Sequence, residues 1–281
     1  MKCEPTYAPI GVFDSGYGGL TILRSLRALM PDIDFMYLGD NARAPYGTRS
    51  FDLVYEFTRQ AVRYLFDAGC PLVILACNTA SAKALRTIQQ RDLPSWPDPT
   101  RRVLGVIRPT VEALEQATPS GHVGLLATPG TVASGSYEIE VEKHFPGITV
   151  HSRACPMWVP LVENRESDGP GADYFVKKDI DALFSENPSI DTLVLGCTHY
   201  PLLIEKIRAY VPPRVKILDQ GKIVANSLLD YLMRHPEMGQ RISHGGTVSY
   251  LTTENPDKFS SLASVFLGSD IEARRVNLVT E

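Results

Sequence analysis

LVILACNTAS (residues 72–81) and TLVLGCTHYP (residues 192–201) share one layout. Each begins with a short apolar run of strand length and continues into residues that can open a helix. Each delivers a cysteine, Cys77 or Cys197, to the point where the strand ends. Because the N-terminus of a helix favours negative charge, we expect both thiols to be poised between thiol and thiolate near neutral pH. Two such thiols facing one substrate can take a proton from one face of a carbon and return it to the other.

Strand-like and helix-like segments alternate along the rest of the chain. The apolar run at residues 9–16, for example, is followed by helical spacing over residues 17–30. The run at residues 122–128 is likewise followed by a helical pattern over residues 132–145. This alternation predicts βαβ units, and therefore an α/β fold with mainly parallel sheets flanked by helices. Ligands bind such folds beyond the carboxyl ends of the strands.

Polar or nucleophilic residues stand at several of these predicted strand ends. They are Asp14, Asp40, Cys77, Thr128 and Cys197. The segments GVFDSGYGG and VGLLATPGT also form a weak internal repeat, because a strand ending in cysteine follows each of them at a similar distance. The repeat predicts two related halves that face each other, with Cys77 and Cys197 across a shared cleft.

The composition argues against several classes of protein. The 281 residues carry a net charge of -4 and no long Lys/Arg cluster, so we expect no nucleic-acid partner. No apolar run reaches the roughly 20 residues of a membrane helix, and residues 1–16 lack the layout of a secretory signal, so we expect a cytoplasmic protein without membrane contact. The five cysteines form no CxxC pairs, which argues against disulfides and a metal site. We interpret Cys3 as a terminal residue and Cys70 as a packing residue.

The polar neighbours of the two thiols suit proton transfer at a carbon. Neither a nucleotide-binding fingerprint nor a Walker sequence is present, so we expect no cofactor. Asp14 and Ser15 end a strand in the same half as Cys77, and His199 lies two residues beyond Cys197. An acid near one thiol and an imidazole near the other can orient the thiols or assist the proton transfer.

A second group of residues suits a substrate carboxylate. Asn78, Thr79 and Thr198 bring amide and hydroxyl donors to predicted helix N-termini, where backbone N–H groups also favour anions. The turn APYG, residues 44–47, exposes backbone N–H groups and one ring. Each residue alone has a simple structural interpretation as a cap, a turn or a core residue. Their gathering at one sheet edge is what favours a site.

Several segments of the chain closely resemble, in order and spacing, the signature segments of the glutamate racemases, in the aspartate/glutamate racemase family. They are GVFDSGYGGLTILRSL, YLGDNARAPYG, LVILACNTASA, LGVI, CPMWVPLVE, LVLGCTHYPLL and the closing YLTTENPDKFSSLASVFLG. The resemblance implies a cofactor-independent isomerase that interconverts L- and D-glutamate. It also implies a supply of D-glutamate for bacterial peptidoglycan, and so a role in cell-wall biogenesis and cell shape.

The resemblance further implies which residues form the site. Cys77 would be the base for the D-enantiomer and Cys197 the base for the L-enantiomer. Asp14, Glu163 and His199 would assist them. The implied substrate contacts are Asp14, Ser15, Pro45, Tyr46, Gly47, Asn78, Thr79, Thr128, Thr198 and His199.

The resemblance also implies two pseudo-symmetric lobes with the active site in the cleft between them, in a homodimer. We place residues 1–100 plus 213–281 in the first lobe and residues 101–212 in the second, with the proline-rich break at residues 93–100 as the crossing point. The first lobe then carries Asp14 and Cys77, and the second carries Glu163, Cys197 and His199.

Two segments depart from the family pattern. GVIRPT, residues 105–110, has Arg108 where a glutamate usually precedes the proline. DQGKIVAN, residues 219–226, differs from the usual acidic run with small residues. We expect neither segment to touch the cysteine motifs, and both to affect lobe contacts, oligomer geometry or regulation rather than activity.

Three alternatives remain open. Paired cysteines on this fold also suit a racemase of aspartate or another small acidic amino acid. A binding or regulatory protein on the same fold would not need two intact thiols. A cysteine hydrolase that uses Cys197 and His199 would leave the matching Cys77 unexplained. Turnover of glutamate against aspartate tests the first alternative, and replacement of either cysteine by serine tests the others.

Overall fold

Two parallel sheets form the framework of residues 7–278, which are the residues that the computed structural model describes. The strands are β1 (Ile10–Asp14), β2 (Phe35–Gly39), β3 (Leu72–Leu75), β4 (Arg102–Gly105), β5 (His122–Ala127), β6 (Thr149–Ala154), β7 (Thr192–Gly196), β8 (Lys216–Ile217), β9 (Val248–Thr252) and β10 (Ala273–Arg275). The larger sheet has the order β10-β9-β2-β1-β3-β4 and the smaller one the order β6-β5-β7-β8. Every pairing of strands within the described range is parallel, as the sequence predicts.

Helices connect these strands. They are α1 (Leu20–Leu29), α2 (Phe51–Asp67), α3 (Asn78–Lys83), α4 (Leu85–Thr87), α5 (Ile107–Glu112), α6 (Pro129–Ala133), α7 (Ser136–His144), α8 (Trp158–Glu163), α9 (Pro170–Glu186), α10 (Ile204–Tyr210), α11 (Gln220–Arg234), α12 (Pro236–Gly239) and α13 (Pro256–Leu267). Short 3-10 or π turns lie at Asn41–Arg43, Tyr46–Thr48, Ile88–Asp92, Leu93–Ser95 and Tyr200–Leu203. None of the helices within residues 7–278 is long and apolar enough to cross a membrane.

The two sheets repeat one strand order. In each sheet, the first strand along the chain lies between the second and the third, and the fourth strand pairs with the third. β9 and β10 extend the larger sheet beyond β2. As a result β3, which precedes Cys77, and β7, which precedes Cys197, occupy equivalent places. This confirms the two related halves that the weak internal repeat predicts.

Two strands lie in a different sheet from the one that the predicted lobe boundaries imply. β4 follows residue 100 but pairs with β3 in the larger sheet, and β8 follows residue 212 but pairs with β7 in the smaller one. The chain therefore changes sheet between Gly105 and His122, and again between Ile217 and Val248. The proline-rich residues 93–100 only turn the chain, and β4 then returns alongside β3.

Two helical regions are interrupted. Residues 79–90, which are rich in helix formers, divide into α3, α4 and a π turn, with Ala84 at a φ of -119° between α3 and α4. The helix predicted over residues 132–145 divides into α6 and α7 at Gly135, whose φ of 61° lies in the left-handed region that glycine tolerates. β10 was not predicted, because its three residues, Ala-Arg-Arg, contain no apolar run.

The core explains the apolar runs in the sequence. β1, β2, β3 and β7 are buried along their whole length, as expected for parallel strands covered on both faces. One apolar cluster is shared by the two halves: it contains Leu20 and Phe35 from one, and Trp158 and Tyr200 from the other. Since each fully buried side chain of this size contributes about 1.5–3 kcal/mol, the shared cluster holds the two halves firmly against each other.

Candidate active site

The carboxyl ends of four strands carry residues that the sequence places in the site. Asp14 is the last residue of β1, and Cys77 lies two residues beyond β3. Thr128 directly follows β5, and Cys197 directly follows β7. Because neighbouring strands in each sheet are parallel, these residues lie at one edge of their sheet, as the sequence predicts.

Hydrogen bonds join the edges of the two sheets. Thr198, after β7, donates through Oγ1 to Asp14 Oδ2 at 3.3 Å. The hydroxyl oxygens of Thr79 and Thr128 are 3.0 Å apart, and that of Thr131 lies 3.2 Å from Thr79 Oγ1. Thr131 was missed by sequence reasoning, although it stands three residues after Thr128 in ATPGT, where a threonine can meet the cap residue of α6. The edge residues of the two halves therefore face each other.

Cys77 caps the N-terminus of α3 and is buried, with 6 % of its surface exposed. Its Sγ accepts a hydrogen bond from the Ala80 N–H at 3.4 Å and donates one to Ser15 Oγ at 3.6 Å. Burial and the nearby Asp14 carboxylate raise the pKa of Cys77 to about 12, although the Ala80 and Ser15 contacts lower it. The expectation of a thiol poised near neutral pH is therefore wrong for Cys77, because desolvation outweighs the helix terminus.

Cys197, His199 and Glu163 form a line of contacts in the other half. Cys197 Sγ is 3.9 Å from His199 Nδ1, and His199 Nε2 is 3.0 Å from Glu163 Oε1. Burial disfavours a charged imidazole, but the hydrogen bonds to Cys197 and Glu163 outweigh burial and raise the pKa of His199 to about 10. At neutral pH His199 is therefore a cation whose two N–H groups face a sulfur and a carboxylate. The resemblance alone had indicated Glu163, and the structure places it beside His199.

Asp14, at the end of β1, is fully buried. Its Oδ1 accepts a hydrogen bond from the Gly16 N–H at 2.8 Å. Burial raises the pKa of Asp14, while the His199 cation and the hydrogen bonds from Gly16 and Thr198 oppose that rise. Gly18 allows the two halves to meet here, because a Cβ at this position would lie 2.1 Å from Thr198 Oγ1 and 2.6 Å from His199 Nδ1.

The turn that begins at Pro45 packs against the smaller sheet. A Cβ on Gly47 would lie 2.8 Å from Thr128 Cβ, so the backbone of this turn lies directly against the residue that follows β5. Tyr46 is buried, and its hydroxyl donates a hydrogen bond to Asp40 Oδ2. Since Asp40 occupies the Tyr46 hydroxyl, the turn offers the site its backbone and a ring rather than a phenol donor.

A buried polar cluster next to Cys77 contains residues that sequence reasoning missed. Asn78 Nδ2 donates to Gln220 Oε1 at 2.8 Å, and Tyr137 OH donates to Asn78 Oδ1 at 2.7 Å. Gln220 and Thr110, which is bonded to it at 2.9 Å, lie in the two segments that depart from the family pattern. The expectation that these segments do not touch the cysteine motifs is therefore wrong. No local signal reveals the contact, because Asn78 and Gln220 are 142 positions apart.

The remaining cysteines have other surroundings. Cys70 is buried in an apolar cluster with Leu65 and Val73, and burial raises its pKa to about 12. The packing role predicted for Cys70 agrees with this position. Cys155 is buried and donates a hydrogen bond to the Arg153 carbonyl. Cys3 lies outside the described residues.

The chain is similar to known racemases over most of its length. A family model described as Asp/Glu/Hydantoin racemase matches residues 20–228. A glutamate racemase from Ruegeria sp. (strain TM1040) is 43 % identical over 272 residues, which cover 93 % of this chain and 97 % of that protein. The similarity therefore extends over nearly the full length of both proteins.

Solved structures show the same similarity in three dimensions. A glutamate racemase isoform from Bacillus anthracis superposes with a TM-score of 0.87 at 33 % identity, covering 98 % of this chain and 99 % of that one. A glutamate racemase from Francisella tularensis subsp. tularensis SCHU S4, solved in complex with D-glutamate, has a TM-score of 0.83 at 32 % identity, covering 96 % of this chain and 98 % of that one. Both superpositions therefore cover nearly the whole of this chain.

Proposed function

The chain belongs to the Asp/Glu/hydantoin racemase family and racemises glutamate, and on that premise we propose a mechanism with two cysteine bases, Cys77 and Cys197. One observation carries the proposal. The two thiols follow β3 and β7, which occupy equivalent places in two sheets with the same strand order. A substrate held between the facing sheet edges then has one thiol on each side of its α-carbon.

The reaction from L- to D-glutamate begins at Cys197. Its thiolate forms an S–H bond as the α C–H bond breaks, and the electron pair remains on the α-carbon and its carboxylate. The Cys77 thiol then delivers its proton to the opposite face, which leaves Cys77 as a thiolate and Cys197 as a thiol. In the reverse direction the two residues exchange roles. The step needs no oxidant and no group transfer, because only protons move.

The charges beside the two thiols support this order of events. The His199 cation lies next to Cys197, where it stabilises a thiolate. Burial and the Asp14 carboxylate instead keep Cys77 protonated, with a pKa of about 12. This arrangement suits Cys197 as the base and Cys77 as the acid when L-glutamate binds.

Donors for the substrate carboxylates surround the same edge. Asn78 and Thr79 begin α3 and bring the backbone N–H groups of a helix N-terminus. The His199 cation adds positive charge. These groups stabilise the negative charge that builds on the α-carboxylate as the proton leaves.

Circular dichroism of D-glutamate, incubated with the protein and no added cofactor, tests this proposal. We expect ellipticity to disappear faster from D-glutamate than from D-aspartate. Cys77→Ser and Cys197→Ser should each slow the loss by at least about 100-fold, the lower range of a general acid–base contribution. Cys70→Ala, a change in the core, is the control and should keep its activity. Full activity in either serine variant would contradict the mechanism, and faster turnover of D-aspartate would favour the aspartate alternative.

We also propose that the D-glutamate is used for peptidoglycan synthesis in the cytoplasm, and that the protein acts as a homodimer without a cofactor. The resemblance of the cysteine motifs to those of glutamate racemases supports this role, the dimer and the absence of a cofactor. Expression in a bacterial strain that requires D-glutamate should restore growth, whereas Cys77→Ser should not. Light scattering of the full chain should give twice the monomer mass of 31.0 kDa; a monomer would contradict the assembly.

A further inference from the structure

Four buried side chains are hydrogen-bonded to one another next to Cys77. Asn78 begins α3, Thr110 lies in α5, Tyr137 lies in α7 and Gln220 begins α11. None of them has more than 7 % of its surface exposed. Polar groups buried to this extent are stable only when their hydrogen bonds are made, so the bonding pattern determines how each amide is oriented.

Thr110 determines the orientation of the Gln220 amide. Thr110 Oγ1 donates its single hydrogen to the Val106 carbonyl at 2.7 Å. It can therefore only accept from Gln220, and the atom that faces it at 2.9 Å is the donor Nε2. The carbonyl oxygen of Gln220 is then left to accept from Asn78 Nδ2 at 2.8 Å.

Tyr137 determines the orientation of the Asn78 amide in the same way. Its hydroxyl accepts from Gln220 Nε2 at 2.9 Å and donates to Asn78 Oδ1 at 2.7 Å. Asn78 Oδ1 also lies 3.2 Å from Gln220 Nε2. The oxygen of Asn78 is thus occupied by donors, while only one of its two Nδ2 hydrogens is used within the cluster.

We propose that Gln220, together with Tyr137, is a positioning residue that fixes the polarity of Asn78, so that this amide offers a substrate carboxylate only N–H. An amide without these partners can turn over and present its oxygen, which a carboxylate repels. This inference rests on the proposed function, because it assigns Asn78 to the binding of glutamate. It also assigns a role to the two segments that depart from the family pattern. Thr110 lies in one of them and Gln220 in the other, and their side chains are hydrogen-bonded to each other.

Two variants remove the cluster's control of Asn78. Gln220→Met keeps the length of the side chain without its amide, and Tyr137→Phe removes a single oxygen. Both should raise KM for each glutamate enantiomer about tenfold or more, as expected for a lost hydrogen bond to a charged group, with a smaller change in kcat. Asn226→Ala, which removes an exposed amide from the same helix α11, is the matched control and should leave KM unchanged.

A double-mutant cycle separates positioning from a general structural role. In an Asn78→Ala background, adding Gln220→Met or Tyr137→Phe should change KM by less than about twofold, because both act through Asn78. The same large increase in that background would overturn the proposal, as would an unchanged KM in the single variants. If Gln220→Met does not fold, as judged by thermal unfolding, Tyr137→Phe carries the test. Wild-type protein in the same assay is the reference: an inactive wild type would contradict the proposed function instead.

Discussion

His199 Nε2 lies 3.0 Å from Glu163 Oε1, and through this one imidazole ring a carboxylate on α8 is linked to the Cys197 thiol. The equivalent thiol in the other half, Cys77, lies near the carboxylate of Asp14 instead of a cation. The two halves therefore repeat their strand order but not their charges. In the mechanism that we propose, this difference suits Cys197 as the base and Cys77 as the acid for L-glutamate.

Replacement of Glu163 by glutamine should lower the pKa of His199, because a neutral amide stabilises an imidazolium less than a carboxylate does. The His199 charge is present below its pKa and is lost above it. In the wild type, kcat for L-glutamate should therefore fall as the pH rises through about 10, and in Glu163→Gln the fall should begin at lower pH. Glu166→Gln, an exposed change three residues away, should leave the profile of kcat against pH unchanged. An unshifted profile in Glu163→Gln would show that Glu163 does not support the His199 charge.

Substitution of the two groups beside the thiols should affect the two directions differently. Since L- and D-glutamate have equal free energies, kcat/KM must be equal in both directions, and side-specific effects appear only in kcat and KM separately. His199→Gln should lower kcat about tenfold more for L-glutamate, because Cys197 loses its cation. Asp14→Asn should lower kcat more for D-glutamate, because a carboxylate that can take up the Cys77 proton is lost. Polarimetry from each pure enantiomer measures both values, and equal losses of kcat in both directions would argue against side-specific assistance.

A methyl group at Gly18 should displace the segment that follows β7. The added Cβ would lie 2.1 Å from Thr198 Oγ1 and 2.6 Å from His199 Nδ1, well inside normal contact distance. We expect Gly18→Ala to lose about 1–3 kcal/mol of stability through overpacking, and to lose activity in addition. Denaturant unfolding and racemisation rates measure the two effects. Gly147→Ala, where a Cβ meets nothing within 4 Å, should change neither; wild-type activity in Gly18→Ala would show that the close approach is not needed.

Much of the site could be predicted from sequence because strands and their ends have strong local signals. A short apolar run that stops abruptly at a cysteine predicts a buried strand with the cysteine just beyond its carboxyl end. Cys77 and Cys197 both lie at such positions, after β3 and β7. The lobe boundaries could not be predicted in the same way. Residues 93–100 have the composition of a linker, yet β4 beyond them returns to pair with β3, and strand pairing has no local signal.

Two features of the site depend on the folded structure alone. The pKa of Cys77 is raised by burial, which only tertiary packing determines, so the helix terminus gave a misleading expectation. Gln220 is hydrogen-bonded to Asn78, which lies 142 positions away in the sequence. In its own sequence context, Gln220 is simply a polar residue at the start of a helix. Long-range side-chain contacts of this kind cannot be inferred from spacing or periodicity.

The most direct test of the two-base mechanism is the position of deuterium early in the reaction. D-Glutamate is incubated with the protein in heavy water, and both enantiomers are separated and analysed by mass spectrometry at low conversion. Two opposed thiols predict L-glutamate that carries deuterium at its α-carbon, while the remaining D-glutamate keeps its hydrogen, because the proton removed by Cys77 is not the one delivered by Cys197. L-Glutamate that retains the original hydrogen, or deuterium that enters both enantiomers equally from the start, would contradict the account.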